Sequence, residues 1–309
     1  CGDRSVSAAP RKGRGKSMAS LEIINASIRI LEEIQPATVR AVCYRLFIEK
    51  LIPSMAKAST DKVSKQLVYA REHGLLPWAW VVDETREAER INTWDNPEQI
   101  IAAAVNGYRK DYWTMQPEWV EVWSEKGTIR GTLAPVLKKY GVTFRVMHGY
   151  GSATSLHGIA KETAANDKNL TVLYVGDWDP SGMQMSEIDL PDRLQRYGGA
   201  ATIKRVALDK CDVLDDTKLP FFEALDKNKD PRYQWFTERY GNRCWEVDAL
   251  SPVVLRQRVE DEILNLLDLD TWEHAVAIEK AETDSMKSIL GNWKSISGQA
   301  SKYSPKGAE

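Results

Sequence analysis

Leu170-Thr171-Val172-Leu173-Tyr174-Val175-Gly176-Asp177-Trp178-Asp179-Pro180-Ser181-Gly182-Met183 is the stretch whose reading decides the fold. Its first six residues are apolar or β-branched almost without a break, which predicts a strand buried on both faces, as in parallel sheets. Side chains alternate along a strand, so Asp177 and Asp179 are expected on one side, roughly 6–7 Å apart, with Trp178 opposite. Pro180-Ser181-Gly182 then breaks the strand and opens a turn. Two carboxylates at the carboxyl end of a buried strand stand where open α/β sheets place their ligands. Their hard oxygens suit a divalent ion such as Mg²⁺.

The flanking sequence repeats the same alternation. A strand from Trp119 ends at Glu125, Gly127 follows, and a helix is expected from about Thr128 to Tyr140. Val142 to Met147 reads as a second strand, and Gly149-Tyr150-Gly151-Ser152 leads into another helix. That passage imitates a dinucleotide-binding fingerprint, but Thr154 replaces the third glycine. After Gly182 a helix should reach about Tyr197, with a fourth strand over Ile203–Leu208. Strands and helices in this order predict a parallel sheet covered on both faces, an α/β fold. Residues 209–245 read as polar loops plus a helix near 232–240. A strand is expected over Trp245–Leu250, a helix over Pro252–Leu267, and a long terminal helix over Thr271–Trp293 with a frayed end.

The amino-terminal part has another character. Residues 1–18 read as a disordered basic tail. Gly15-Lys16-Ser17 ends like a phosphate-binding loop, but Pro10 stands where an earlier glycine is needed and no strand precedes it. Leu21, Ile24, Ile28 and Leu31 mark one amphipathic helix. Pro36-Ala37-Thr38 opens a second, with Val39, Val42, Cys43, Leu46 and Phe47 on its buried stripe. A third runs from about Thr60 to His73. Strands over Leu75–Val82 would complete a winged helix-turn-helix, its third helix offering Lys62, Lys65, Gln66, Tyr69 and Arg71 to DNA. The alternative is a helical subdomain with a solvated charged face. The expected organisation is a tail (1–18), a winged-helix domain (19–86), a connector (87–117), an α/β domain (118–270) and a terminal helix with tail (271–309).

Bulk properties exclude less. The 309 residues are 43% hydrophobic and 28% charged, enough for two cores, and the net charge of −2 neither announces nor excludes a nucleic-acid partner. Cys1, Cys43, Cys211 and Cys244 lack zinc-site spacing and read as reduced thiols. No apolar run reaches the roughly 18 residues of a membrane span, so the expectation is a cytoplasmic, nucleoid-associated protein with no membrane partner.

Glu125 followed by Gly127, and then Asp177-Trp178-Asp179-Pro180-Ser181-Gly182 about fifty residues on, resembles the Toprim domain of topoisomerases, bacterial primases and some nucleases. Haloacid-dehalogenase phosphatases and glycosyltransferases also carry a bare Asp-x-Asp. The former place it at a first strand, and the latter require a nucleotide-sugar fold not visible here. A winged helix ahead of such a domain resembles the A subunit of type IIB topoisomerase VI, its meiotic double-strand-break relative and the short "mini-A" proteins of mobile elements. In that family an Arg-x-x-x-Tyr carries the tyrosine that attacks DNA, and Arg40-Ala41-Val42-Cys43-Tyr44 fits it. The resemblance covers roughly residues 20–270. Ser155 after Thr154, where the family commonly has Arg, and Cys43, where it often has a second Tyr, depart from the pattern.

On a helical wheel Tyr44 lies about 130° from the centre of the buried stripe, with Arg40 four residues back on the same face. An exposed phenol beside a guanidinium is therefore expected, an arrangement that favours the phenolate. The alternative is a partly buried tyrosine used for packing. The resemblance implies Mg²⁺ held by Glu125, Asp177 and Asp179, and attack by Tyr44 to leave a 5′-phosphotyrosyl link. Alternatively, Glu125 is the candidate acid/base for the leaving 3′ oxygen, and Lys126 and Arg130 are candidate phosphate contacts. It further implies a homodimer that cuts double-stranded DNA, with any strand passage left to a separate ATPase subunit. Two other readings stand beside this one: a Toprim nuclease that uses water, and a non-catalytic DNA-binding protein.

Overall fold

A computed structural model of the chain describes residues 16–82, 93–147, 153–214 and 219–300. The chain divides between Val82 and Asp83 into two compact units. The first holds three helices. In α1 (Met18–Ile34), Ser17 caps the amino terminus by accepting a bond from the Ser20 N–H. The strand β1 (Ala37–Thr38) runs into α2 (Val39–Ile48), where the Thr38 hydroxyl accepts from the Ala41 N–H at 3.1 Å. The third is α3 (Lys57–Glu72). Ile24, Leu31, Val42, Leu46, Val63 and Leu67 form one apolar cluster among them. The residue spacing had predicted all three helices. It had also predicted an inward Leu21, which is exposed.

The hairpin expected over 75–82 is not what forms. Trp78–Trp80 make a 3₁₀ turn, and only β2 (Val81–Val82) is extended. It pairs with β1 in parallel, Ala37 opposite Val81, so it closes the unit instead of projecting from it as a wing. The remainder of the expected wing, at 83–86, lies outside the described residues.

In the second unit α4 (Pro97–Gly107) starts as predicted, with Asn96 capping and Pro97 in the first turn. The core is a four-stranded parallel sheet of β3 (Trp119–Ser124), β4 (Thr143–Val146), β5 (Leu170–Val175) and β6 (Thr202–Ala207), in the spatial order β4-β3-β5-β6. Between them come α5 (Ile129–Tyr140) and α6 (Ala153–Ala164). After β5 the chain coils continuously through α7 (Pro180–Gln184), a π-helical turn and α8 (Leu190–Arg196). Every residue of β5 is buried. Leu170, Val172 and Tyr174 pack with Leu156 and Ile159 of α6 and Leu190 and Leu194 of α8. Successive right-handed crossovers in opposite directions put α5 on the other face, where it packs with the helix Pro252–Leu266.

Past β6 come α9 (Lys210–Leu214), the two-stranded ribbon β7 (Phe222–Glu223) and β8 (Arg243–Cys244), and between its strands α10 (Tyr233–Tyr240). The strand predicted over 245–250 is a single antiparallel bridge, Trp178 to Trp245, followed by a 3₁₀ turn at Val247–Ala249. Two helices close the chain, α11 (Pro252–Leu266) and α12 (Leu269–Ala300), the latter longer than the sequence suggested. Residues of the expected connector belong to this unit: α4 packs on α12, and the Lys110 N–H donates to Glu279 at 2.9 Å.

The turn after β5 is fixed by close contact. A Cβ on Gly182 would sit 2.4 Å from the Asp177 carbonyl oxygen, a backbone atom that cannot step aside. Gly182→Ala is therefore expected to cost about 2–4 kcal/mol, read as a lowered urea midpoint. Gly291→Ala, at a helical position with open space around it, serves as a control expected to be neutral or stabilising.

Candidate functional site

The strand order places the site. β3 is followed by β4 on one side, and the chain then crosses back to lay β5 on the other side of β3. The boundary between β3 and β5 is thus the point where the direction of winding reverses, where parallel sheets open a crevice beyond their carboxyl ends. Ser124 and Val175 are paired at that edge. Glu125 follows the first and Asp177 and Asp179 the second, so the three predicted acids come from neighbouring strands.

Each aspartate is positioned by the backbone. Asp177 accepts from the Val247 N–H at 2.8 Å through Oδ1. Asp179 caps α7, its Oδ1 accepting from the Gly182 N–H at 2.7 Å. Both are buried, at 5% and 2% exposure. The other oxygen of each carboxylate meets an ammonium group. Lys126 Nζ lies 2.9 Å from Asp177 Oδ2, and Lys227 Nζ pairs with Asp179 Oδ2. Lys126 also reaches Asp248 Oδ2 at 2.9 Å and Glu246 Oε2 at 3.4 Å. Burial alone would lower the Lys126 ammonium, but Asp248, Asp177 and Glu246 outweigh it and hold its pKa well above the usual lysine range.

Glu125 is pushed up to about 7 from an ordinary 4.5, first by burial and then by the charges of Asp177 and Asp179. Asp177 is likewise raised by burial, against the Lys126 ammonium, which pulls it down. The three carboxylates therefore feel one another in a low-dielectric setting. Among the described residues, no three His, Cys, Asp or Glu side chains close tightly enough around one point to enclose an ion in this conformation. The ammonium groups stand against the oxygens that would do so. The donor set itself, carboxylate oxygens only, is the kind that suits Mg²⁺.

Several predicted contacts are corrected. Lys126 was expected to meet phosphate; its ammonium is spent on three carboxylates because it is buried beside them. Gln66 was expected to read DNA, but it lies on the α3 face of Val63, Leu67 and Ala70, and is buried, its Oε1 accepting from Lys16 at 2.9 Å. Tyr44 was expected to be exposed and is 5% exposed. The wheel assumed one buried stripe, whereas α2 buries Ala41, Val42, Cys43, Tyr44 and Leu46, which surround most of its circumference. Arg40 does share its face, with the guanidinium 5.6 Å from the ring centre.

Lys62 and Lys65 are exposed on α3. Arg71 stacks on Trp78 at 4.8 Å, and Arg130 lies 5.6 Å from the Phe144 ring. The glycine-rich passage at 149–152 lies outside the described residues. So does all of the phosphate-loop-like stretch except Lys16 and Ser17, and those two pair with Gln66 and cap α1.

Sequence reading missed Arg205, Lys227, Glu246 and Asp248. Arg205 carried a signal: in β6 it shares the parity of Ile203, an inward position for a charge. Glu246 and Asp248 alternate around Val247, but nothing in the sequence said which turn they would meet.

Comparison with protein-family models, with curated proteins and with solved structures finds no match.

The raised Glu125 carboxyl has a definite pH signature. Between about 4.5 and 7 the folded chain keeps a proton that the unfolded chain releases, so this group's contribution to stability falls as pH rises through that window and is flat above it. Glu125→Gln removes the effect. Without divalent ions, the variant should gain on the parent by up to about 3 kcal/mol between pH 5 and pH 8 in urea titrations; a constant difference across pH would contradict this.

Proposed function

We propose that this chain is a Mg²⁺-dependent DNA-cleaving enzyme that uses Tyr44 as nucleophile, in the manner of the topoisomerase VI A subunits its motifs resemble. The observation that supports the reading is that Glu125 follows the end of β3 beside the end of β5, at the winding-reversal edge of the sheet, where burial and the charges of Asp177 and Asp179 push it up to about 7. Buried carboxylates in excess of their cations favour a divalent ion. The site also contains Glu246 and Asp248, and the lysines and arginines around it do not outnumber the acids.

Glu125, Asp177 and Asp179 would hold the ion. Bound there, it would supply positive charge against the phosphate oxygens, which carry the growing negative charge of the displacement. The chain's own groups do the rest. The Tyr44 hydroxyl gives its proton to solvent water, its oxygen bonds to phosphorus, and the bond to the 3′ oxygen breaks. That oxygen takes up a proton from solvent; Glu125 would supply it instead only where it is not a ligand of the ion. The product is a 5′-phosphotyrosyl link, which conserves the bond for resealing. Arg40 lies on the same face as Tyr44, its guanidinium 5.6 Å from the ring centre. A homodimer cuts both strands, each protomer lending its tyrosine to the other's acids. Lys62 and Lys65, exposed on α3, contribute phosphate contacts.

The burial of Tyr44 favours a second reading, in which water is the nucleophile and the tyrosine packs. One experiment separates the two. Supercoiled plasmid is incubated with the protein and Mg²⁺ and then denatured. The tyrosine mechanism predicts DNA retained on the protein, lost in Tyr44→Phe and reduced at least about 100-fold in Asp177→Asn. Free linear product formed equally by Tyr44→Phe supports hydrolysis. No Mg²⁺-dependent cleavage by the parent protein overturns both.

A further inference from the structure

Two carboxylates of the site have one oxygen each left to offer, and each of those oxygens is already held. Asp177 Oδ1 is committed to the Val247 N–H and Asp179 Oδ1 to the Gly182 N–H, both within the structural frame of the turn. What remains is Asp177 Oδ2, 2.9 Å from Lys126 Nζ, and Asp179 Oδ2, paired with Lys227 Nζ. A cation that used these oxygens would have to share them with an ammonium group a few ångströms away. At that range two positive charges repel strongly in a partly buried setting.

The two lysines differ in what they keep if they move. Lys126 retains Asp248 at 2.9 Å and Glu246 at 3.4 Å, so its ammonium can leave Asp177 and remain paired. Lys227 comes from the 3₁₀ turn Ala224–Lys227, outside the sheet, and its side chain is 35% exposed against 3% for Asp179. Its ammonium can leave into water at little desolvation cost, since the charge gains hydration as it goes. Neither departure strands a buried, unpaired lysine. By contrast, removing both ammonium groups with nothing in their place would leave buried carboxylates facing one another.

We infer that Lys126 and Lys227 are built-in counter-ions that occupy the cation's place beside Asp177 and Asp179, and that a divalent ion loads only by displacing them. This rests on the cation site proposed above. It makes the free protein a deliberately weak binder of divalent ions. It also links loading to any polyanion that draws Lys227 outward, because a phosphate competes for the same ammonium.

The test is Mn²⁺ binding without nucleic acid, followed by loss of the free-ion electron paramagnetic resonance signal. Parent protein, Lys126→Met and Lys227→Met are compared, with Asp179→Asn as the site control. Each lysine variant is expected to bind Mn²⁺ at least about fivefold more tightly than the parent, and Asp179→Asn more weakly. Lys227→Met, at the more exposed lysine, keeps the test open if Lys126→Met does not fold. Equal or weaker Mn²⁺ binding by a folded lysine variant, with the parent binding well, overturns the counter-ion role and leaves the cation site standing. Absence of Mn²⁺ binding in the parent and in every variant overturns the cation site, and this inference with it.

Discussion

The guanidinium of Arg205 holds the acid-bearing turn to the sheet. Its Nε donates to the Leu208 carbonyl at 2.6 Å. One terminal nitrogen donates to the Gly182 carbonyl at 3.1 Å and the Ser186 hydroxyl at 2.7 Å, and the other to the carbonyls of Gly176, at 2.9 Å, and Asp177. An arginine has five N–H donors, and each has an acceptor here. The Gly176 carbonyl also accepts from the Leu208 N–H and the Gly182 carbonyl from the Ser186 hydroxyl, so the guanidinium adds to bonds already in the turn and gives the Asp177 carbonyl a charged donor, which holds the segment carrying Asp177 and Asp179. Gly182 permits the same close approach from the other side.

The second fixed point is the bridge between Trp178 and Trp245, whose backbone groups exchange bonds of 2.9 and 3.0 Å. It brings a segment from seventy residues downstream against the turn, and with it the Val247 N–H, Glu246 and Asp248. The site is therefore an assembly of three pieces. Two are neighbouring strand ends, and the third is a late return of the chain. Charge is dense at their meeting, where Lys126 and Lys227 pair with the two aspartates and the Glu125 carboxyl is pushed up to about 7.

The sequence disclosed the local parts of this arrangement and not the long-range ones. The buried run over 170–175, the breaks at Pro180 and Gly182, and the alternation of strands and helices all depend on neighbours in the chain, and the four parallel strands lie within one residue or two of their expected limits. The wing was misread because Val81–Val82 pairs with Ala37–Thr38, a contact that no local pattern encodes. Tyr44 was misplaced for a related reason. A helical wheel finds the strongest apolar stripe, but cannot tell that a short helix is enclosed on several sides. Lys126 looked like a phosphate ligand because its partners Glu246 and Asp248 lie more than a hundred residues away. Lys227 was hidden in a segment read only as polar loop, 48 residues beyond its partner Asp179.

The central claim is that one divalent ion sits between the ends of β3 and β5. Fe²⁺ in place of Mg²⁺, with ascorbate and peroxide, generates hydroxyl radicals that cut the polypeptide beside the bound ion, and mass spectrometry maps the cuts. The account predicts cuts clustered at Glu125 and over Asp177–Asp179, suppressed by excess Mg²⁺. Cuts that avoid both segments, or that excess Mg²⁺ leaves unchanged, would contradict it.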